Sequence, residues 1–418
     1  MRTRPKTILR SILVALFVIT SSFLFVFTVN VSASQESGYI YSTTEVPFAA
    51  TITGYTGQGG DIAIPTVLGG HPTTVIGQNA FRSANKVTSV TIPEGITTIG
   101  SSAFAYCGNL SSIMVPNSVT SIGNWAFSFC PSLLSINVYS ENLNYRSEGG
   151  VLFDKNGTTL IQCPGARSGA YEIPAGVVSI ESEAFAICAS LTSVQVPSSL
   201  LYIGDFAFSN CYGLRSITLP EGIKSIGIAA FTYCTGLISV DIPGSVISLG
   251  NGAFFQCSSL TNVTLGNGLT TISGSAFDYC TSLKAITIPD SVTSIGIGAF
   301  YQCSALSSIT IPGNVTIIGN QTFENCTSLD HIAFEGNAPS VGDNWATGCA
   351  VNLTVSYTAG ATGFSTPTWN GIPTDQGSGT ASNGPSSNDQ GLAFLIIGLL
   401  VALILATIFL VVRKNKNH

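Results

Sequence analysis

The chain has 418 residues, of which 45% are hydrophobic and only 9% charged, with 44 glycines and a net charge of −6. That balance excludes a disordered chain, which needs many charges and few apolar residues, and argues against a helical bundle. It suits short strands and turns whose wettable surface comes from Ser, Thr, Asn and Gly.

At the start, Arg2, Arg4, Lys6 and Arg10 precede an apolar run from Ile12 to Val29, followed by "NVSAS". A basic head, an apolar middle and small residues at Ser32 and Ala33 read as a secretory signal peptide over 1–33, with a retained N-terminal anchor as the alternative. In both cases the positive flank stays in the cytoplasm and everything after it is sent outward.

Residues 34–75 read as an N-terminal cap that leads into a repeat. Phenylalanine recurs as Phe81, Phe104 and Phe127, then from Phe185 to Phe323, always 23 residues apart except for a step of 58 between Phe127 and Phe185. A fixed period in this range marks a solenoid, in which each unit buries its apolar face only against its neighbours. The repeat claims residues 76–358, with an insertion at 142–166 falling within the long step.

Within the unit that begins at Ile99, Ser112 to Val115 alternates polar and apolar, so Ile113 and Val115 face the core and Ser112 and Met114 face out. Pro116, which has no N–H to give a ladder, ends the strand. Ala103 to Cys107 reads as one helical turn with Phe104 and Cys107 on one face. Stacked units should form one parallel sheet with strands about 4.8 Å apart.

Behind the array, residues 359–390 read as a flexible polar spacer. Gly391 to Val412 then runs for 22 residues without a charge, roughly 33 Å as a helix and enough to cross a membrane. Arg413, Lys414 and Lys416 hold the tail, 413–418, on the cytoplasmic side. The expected protein is a single-pass membrane protein with its repeats outside the cell. Residues 34–390 contain all 21 acidic side chains but only eight of the 15 basic ones, a net charge of −13. Such a surface makes nucleic acid or an anionic membrane face an unsuitable partner.

The phrase I-G-x-x-A-F-x-x-C-x-x-L-x-x-I-x-I-P, nearly complete at Ile99, Ile203, Ile226 and Ile295, resembles the BspA-like branch of the leucine-rich repeat proteins. The insertion resembles the long repeat variant of that family, and Ala50 to Gly77 is similar to its opening cap. Ala84 stands in place of the first cysteine, Glu181 and Ser273 in place of Gly, and Gly266 in place of Pro. A worn final unit has Ala346 where Phe is expected. The resemblance implies a β-rich α/β leucine-rich repeat solenoid that binds extracellular proteins or neighbouring cell surfaces.

Ten of the 11 cysteines share one repeat position; only Cys163, in the insertion, is out of phase. Equivalent Cβ vectors on stacked coils run parallel, a poor geometry for disulfides, so a reduced, buried ladder is expected. The three histidines, His71, His331 and His418, are too far apart along the array to share a site, and no carboxylate pair or metal set recurs. No enzyme and no cofactor are expected. Instead, Arg215, Asp241, Lys284, Asp330 and His331 vary an otherwise Ser/Thr-rich outward strand face and are the candidate ligand-binding residues. The function read from the chain is non-enzymatic adhesion or protein–protein recognition. The alternative is a carbohydrate-binding surface receptor using Tyr106, Tyr233, Tyr279 and Tyr301.

Overall fold

A computed structural model describes residues 12–18, 25–31 and 33–376. Ile12–Val18 pairs antiparallel with Phe25–Val31. The rest of the expected leader, the span at Gly391–Val412 and the tail lie outside the described residues. Among the described residues no helix is long and apolar enough to cross a membrane.

Each coil of the array has three sides. On the first, four-residue strands such as Ser112–Val115 pair in parallel and in register with the coil before and after, Ser112 lying opposite both Ser89 and Ser135. The alternation places Ile113 and Val115 in the core and Ser112 and Met114 outside. On the second side, two-residue strands such as Thr98–Ile99 stack between His71–Ile76 and Ser121–Ile122. The solenoid therefore has two parallel walls, a wide one and a narrow one, where the sequence predicts a single sheet.

The third side corrects the expected helical turn: there is no helix among the described residues. Ser102 and Tyr106, flanking Phe104 by two, both take positive φ, 54° and 61°. This turns alternate N–H groups along the stack. Ser102, Phe104 and Tyr106 donate to the carbonyls of Asn124, Ala126 and Ser128 on the next coil, at 3.0, 2.8 and 3.0 Å. A helical turn would direct its N–H groups along its own axis and leave neighbouring coils unpaired on this side.

The core is a column of phenylalanine rings. Phe208, Phe231 and Phe254 stack with centroids 5.0 and 5.1 Å apart and nearly parallel planes. The glycine of each I-G pair lets neighbouring coils approach backbone to backbone: a Cβ on Gly100 would lie 2.6 Å from the Gly77 carbonyl carbon. Where Ser273 replaces this glycine, its hydroxyl donates to the Leu249 carbonyl.

Both ends are capped. Antiparallel strands Tyr39–Glu45 and Phe48–Tyr55 precede the array, and Tyr39 and Tyr55 cover the first ring, Phe81, at 6.2 and 5.2 Å. At the far end Trp345 meets Phe323 edge-on at 6.3 Å, filling the space left by Ala346. The body runs on past the expected spacer boundary at 359. Tyr357 stacks on Phe364 at 4.5 Å, and Trp369 packs against Phe334, Trp345 and Phe364. Residues 359–375 therefore belong to a cap; an apolar core end needs such a cover in water.

The insertion forms a seam. Tyr145–Glu148 pairs antiparallel with Val151–Asp154, which pairs antiparallel with Thr159–Gln162. The last of these joins the second narrow wall through Ser179–Ile180. The first wide wall ends at Ser135–Val138 and the next begins at Ser168–Glu172. The apolar core divides at the same place, with Leu152 packed in one half and Val151 and Phe153 in the other.

Candidate functional site

The cysteines can be set aside first. All eleven are free, and those of the regular coils are buried except Cys349, which is partly exposed. Each thiol has a hydrogen-bonding role as well as a packing one: Cys234 Sγ donates to the Phe208 carbonyl at 3.1 Å, and Cys257 Sγ to that of Phe231 at 3.2 Å. Burial pushes the thiols of Cys257, Cys280 and Cys303 well above their ordinary range. They are held protonated, which suits donors and disfavours nucleophiles or ligands. Among the described residues no group of three or more His, Cys, Asp or Glu could hold a metal ion.

All five charged candidates lie on the wide wall, in three columns. Arg215, Lys284 and Asp330 share the column just before the strands, linked through backbone bonds such as Ile238 N–H to Arg215 O at 3.1 Å and Asp330 N–H to Ser307 O at 3.0 Å. Arg215, Ile238, Thr261 and Lys284 occupy successive coils, so the two cations are roughly 14 Å apart. Asp241 stands exposed opposite Thr264, two columns over. His331 begins its strand opposite Ser308 and Thr354. Its ring is already engaged, with Nδ1 3.2 Å from Thr354 Oγ1 and Nε2 3.0 Å from Ser356 Oγ. The structure thus sets Asp330 and His331 side by side, gathers Arg215 and Lys284 in one column, and leaves Asp241 apart.

Sequence reasoning missed the apolar members of this face. Ile238, between Arg215 and Lys284, is 49% exposed, and Leu134, at the equivalent repeat position on the wide wall before the seam, is 67% exposed. The signal was available: both break the Ser/Thr/charged pattern of a column the strand alternation places outside. An apolar side chain presented on a rigid, charged sheet is the composition of a binding-surface centre.

The tyrosines of the alternative reading lie on the turn side. Tyr106 is sandwiched, with the Arg82 guanidinium 4.5 Å from its ring centre and Phe129 stacked at 4.6 Å. Tyr233, Phe255, Tyr279 and Tyr301 form a zigzag at 5.6 to 5.9 Å in which the rings meet tilted or edge-on. These rings pack against one another. Beside them Asp278 is buried, and burial raises its carboxyl to about 6.

A cleft opens at the seam, with a volume of about 110 Å³. Trp125, Tyr145, Gln162, Glu181 and Ser182 are among its lining residues. Gln162 is buried and already bonded: its Oε1 accepts from Ser128 Oγ at 3.2 Å and its Nε2 donates to the Ala184 carbonyl at 3.1 Å. Tyr145 Oη accepts the Ile122 N–H at 2.8 Å, where a neighbouring strand's carbonyl would otherwise stand. Glu181 replaces the close-approach glycine here because the coil before it is the insertion.

Two parallel walls, a laddered turn side and a phenylalanine core define a leucine-rich repeat β-solenoid. The match is specific: the BspA type leucine rich repeat region, in six copies, matches residues 67–155, 168–280 and 248–359. The chain belongs to this family. Among solved structures it is similar to a leucine rich cell surface protein of Faecalibacterium prausnitzii A2-165, with 28% identity, 73% of this chain and 95% of that one covered, and a TM-score of 0.43. A leucine-rich repeat protein of Bacteroides ovatus ATCC 8483 is 25% identical, with 78% and 94% covered and a TM-score of 0.46. One of Eubacterium ventriosum ATCC 27560 is 21% identical, with 80% and 96% covered and a TM-score of 0.49. No curated protein matches the chain.

Proposed function

We propose that this is a non-enzymatic recognition protein, displayed outward from a cell membrane, whose wide wall binds extracellular proteins or neighbouring cell surfaces. The observation that carries the reading is the column of Arg215, Ile238, Thr261 and Lys284: an exposed isoleucine between two cations, on a sheet whose buried residues scarcely change from coil to coil. Invariant core and variable surface separate the stability of a solenoid from its selectivity. Asp241 and Asp330 add charges of opposite sign to the same wall, which favours a partner of mixed charge. Outward display rests on the sequence of the two apolar termini, and the acidic balance of residues 34–390 keeps the wall off anionic lipid.

The test is binding of the purified chain to arrays of extracellular matrix proteins and to whole cells. Replacing Arg215, Ile238 and Lys284 together by Ala is expected to weaken the captured ligand at least about tenfold without moving the melting temperature, since exposed substitutions shift stability by under about 0.5 kcal/mol each. Undiminished binding by the triple variant would place recognition elsewhere. Adhesion is tested in the same variant by attachment of cells that display it.

A further inference from the structure

The turn-side ladder is broken at one interior place. In the coils on either side of the seam, the N–H groups at and two residues to either side of the core phenylalanine donate to the next coil: Ser102, Phe104 and Tyr106 before it, Glu183, Phe185 and Ile187 after it. In the coil of Phe127 the equivalent N–H groups, those of Trp125, Phe127 and Phe129, have no acceptor among the described residues. The position the Phe127 N–H would seek, the Ala184 carbonyl, is taken by Cys163 N–H at 2.7 Å. The position Trp125 would seek is the Ser182 carbonyl, and among the described residues nothing donates to it. Tyr145, Ile161 and Gln162 hold the two coils apart at this point, and the gap is the cleft.

The cleft therefore offers a donor on one lip, Trp125 N–H, and an acceptor on the other, Ser182 C=O. Backbone groups that lack a protein partner are met by water or by a ligand. Sugar hydroxyls both accept and donate, so one can meet Trp125 N–H and another Ser182 C=O, whereas a carboxylate can only accept and would face Glu181 across the cleft. Beside this pair the indole of Trp125 is 45% exposed on the lip. An apolar ring face next to paired donors and acceptors matches a sugar ring, with C–H groups on one side and hydroxyls at its edge.

We propose that the seam cleft is a binding site for a neutral saccharide, one pyranose resting on Trp125 with its hydroxyls meeting Trp125 N–H on one lip and Ser182 C=O on the other. It lies on the turn side, whereas the protein-recognition surface is on the wide wall, and neither proposal depends on the other. The 110 Å³ volume admits one end of a chain and not a folded partner.

The experiment is titration of the full chain with cellobiose, maltose, lactose, mannobiose and N,N′-diacetylchitobiose, read by tryptophan fluorescence and by saturation-transfer NMR. The expected result is millimolar or tighter binding of at least one of them. Trp345 and Trp369 are buried at the far end, so the fluorescence change is expected to vanish in Trp125→Phe. NMR should show binding weakened roughly tenfold in Trp125→Ala, less in Trp125→Phe, which keeps a ring face, and unchanged in the Arg215/Ile238/Lys284 triple variant. Binding of none of the five sugars would overturn the proposal and assign the cleft to water. Sugar binding that survives Trp125→Ala would overturn it as well, moving the site to another surface.

Discussion

Cys257 Sγ lies 3.2 Å from the carbonyl oxygen of Phe231, one coil back, and the same carbonyl accepts the backbone N–H of Cys234 at 3.1 Å. The thiol proton thus ties two coils together at the point where the aromatic column turns toward the next coil. Because the carbonyl has a second donor, losing the thiol leaves it satisfied. Cys257→Ala should cost only about 1 kcal/mol in urea unfolding, against about 3–5 kcal/mol for Phe254→Ala, which opens a cavity in the ring column. Equal losses would mean that the thiol does more than this geometry allows.

The same burial makes stability sensitive to alkali. Folding raises the Cys257, Cys280 and Cys303 thiols above their unfolded value of about 8.5, and lifts the more accessible Cys349 to about 11. A group raised on folding contributes its full stability below the unfolded value and loses it as pH climbs through the folded one. The melting temperature should stay level from pH 7 to about 8, then fall steadily toward pH 11. Cys257→Ala should soften that slope. A flat profile across the range would contradict the buried, protonated ladder.

Asp278 should show the same linkage at lower pH. Burial raises its carboxyl from 3.8 to about 6, and its Oδ1 has no hydrogen-bond partner. The neutral form is the one the fold favours, so its contribution is greatest below the unfolded value near 3.8 and is lost as pH rises through about 6. Asp278→Asn is expected to raise the melting temperature at pH 7 and to have little effect at pH 4. A variant less stable at pH 7 than the parent would refute this account.

Gly250 tests the close approach of coils. A Cβ there would run into the backbone of Gly227 and Ile228, which cannot yield as a side-chain tip can. Gly250→Ala should cost about 1–3 kcal/mol, whereas Glu181→Gly, at the equivalent position beside the seam, should cost far less because the side chain there opens onto the cleft. Differential scanning calorimetry of the two variants would separate them.

The 23-residue period, the inward Ile/Val and Phe columns and the reduced state of the cysteines were all legible in the chain. Each follows from a local rule: alternation along a strand, or the sharing of one slot by Cys and Ala84. The family was legible for the same reason, since its motif is the set of residues that every coil must bury. The second wall and the non-helical turn side of the coils were not. Two-residue strands such as Thr98–Ile99 carry too little alternation to announce themselves. The spacing of Phe104 and Cys107 fits a helical turn as well as it fits alternating positive φ. Only stacking chooses between them, because the N–H groups on that side must find carbonyls on the next coil.

The charges of Arg215, Lys284 and Asp330 could be read as outward, but their common column depended on the register between coils, and Ile238 became a candidate only once it was seen exposed between them. The cap beyond residue 358 likewise depends on Trp369 meeting Phe334 and Trp345 across the end of the core. The seam went furthest beyond the sequence. A step of 58 residues announces an insertion, but that it leaves Trp125 N–H and Ser182 C=O facing an open cleft depends on how its hairpin wedges two coils apart. Sequence by itself determined what each coil buries, because burial is set by residue type and period. Tertiary structure decided which backbone groups were left unpaired and which side chains share a surface, because those depend on how one coil meets the next.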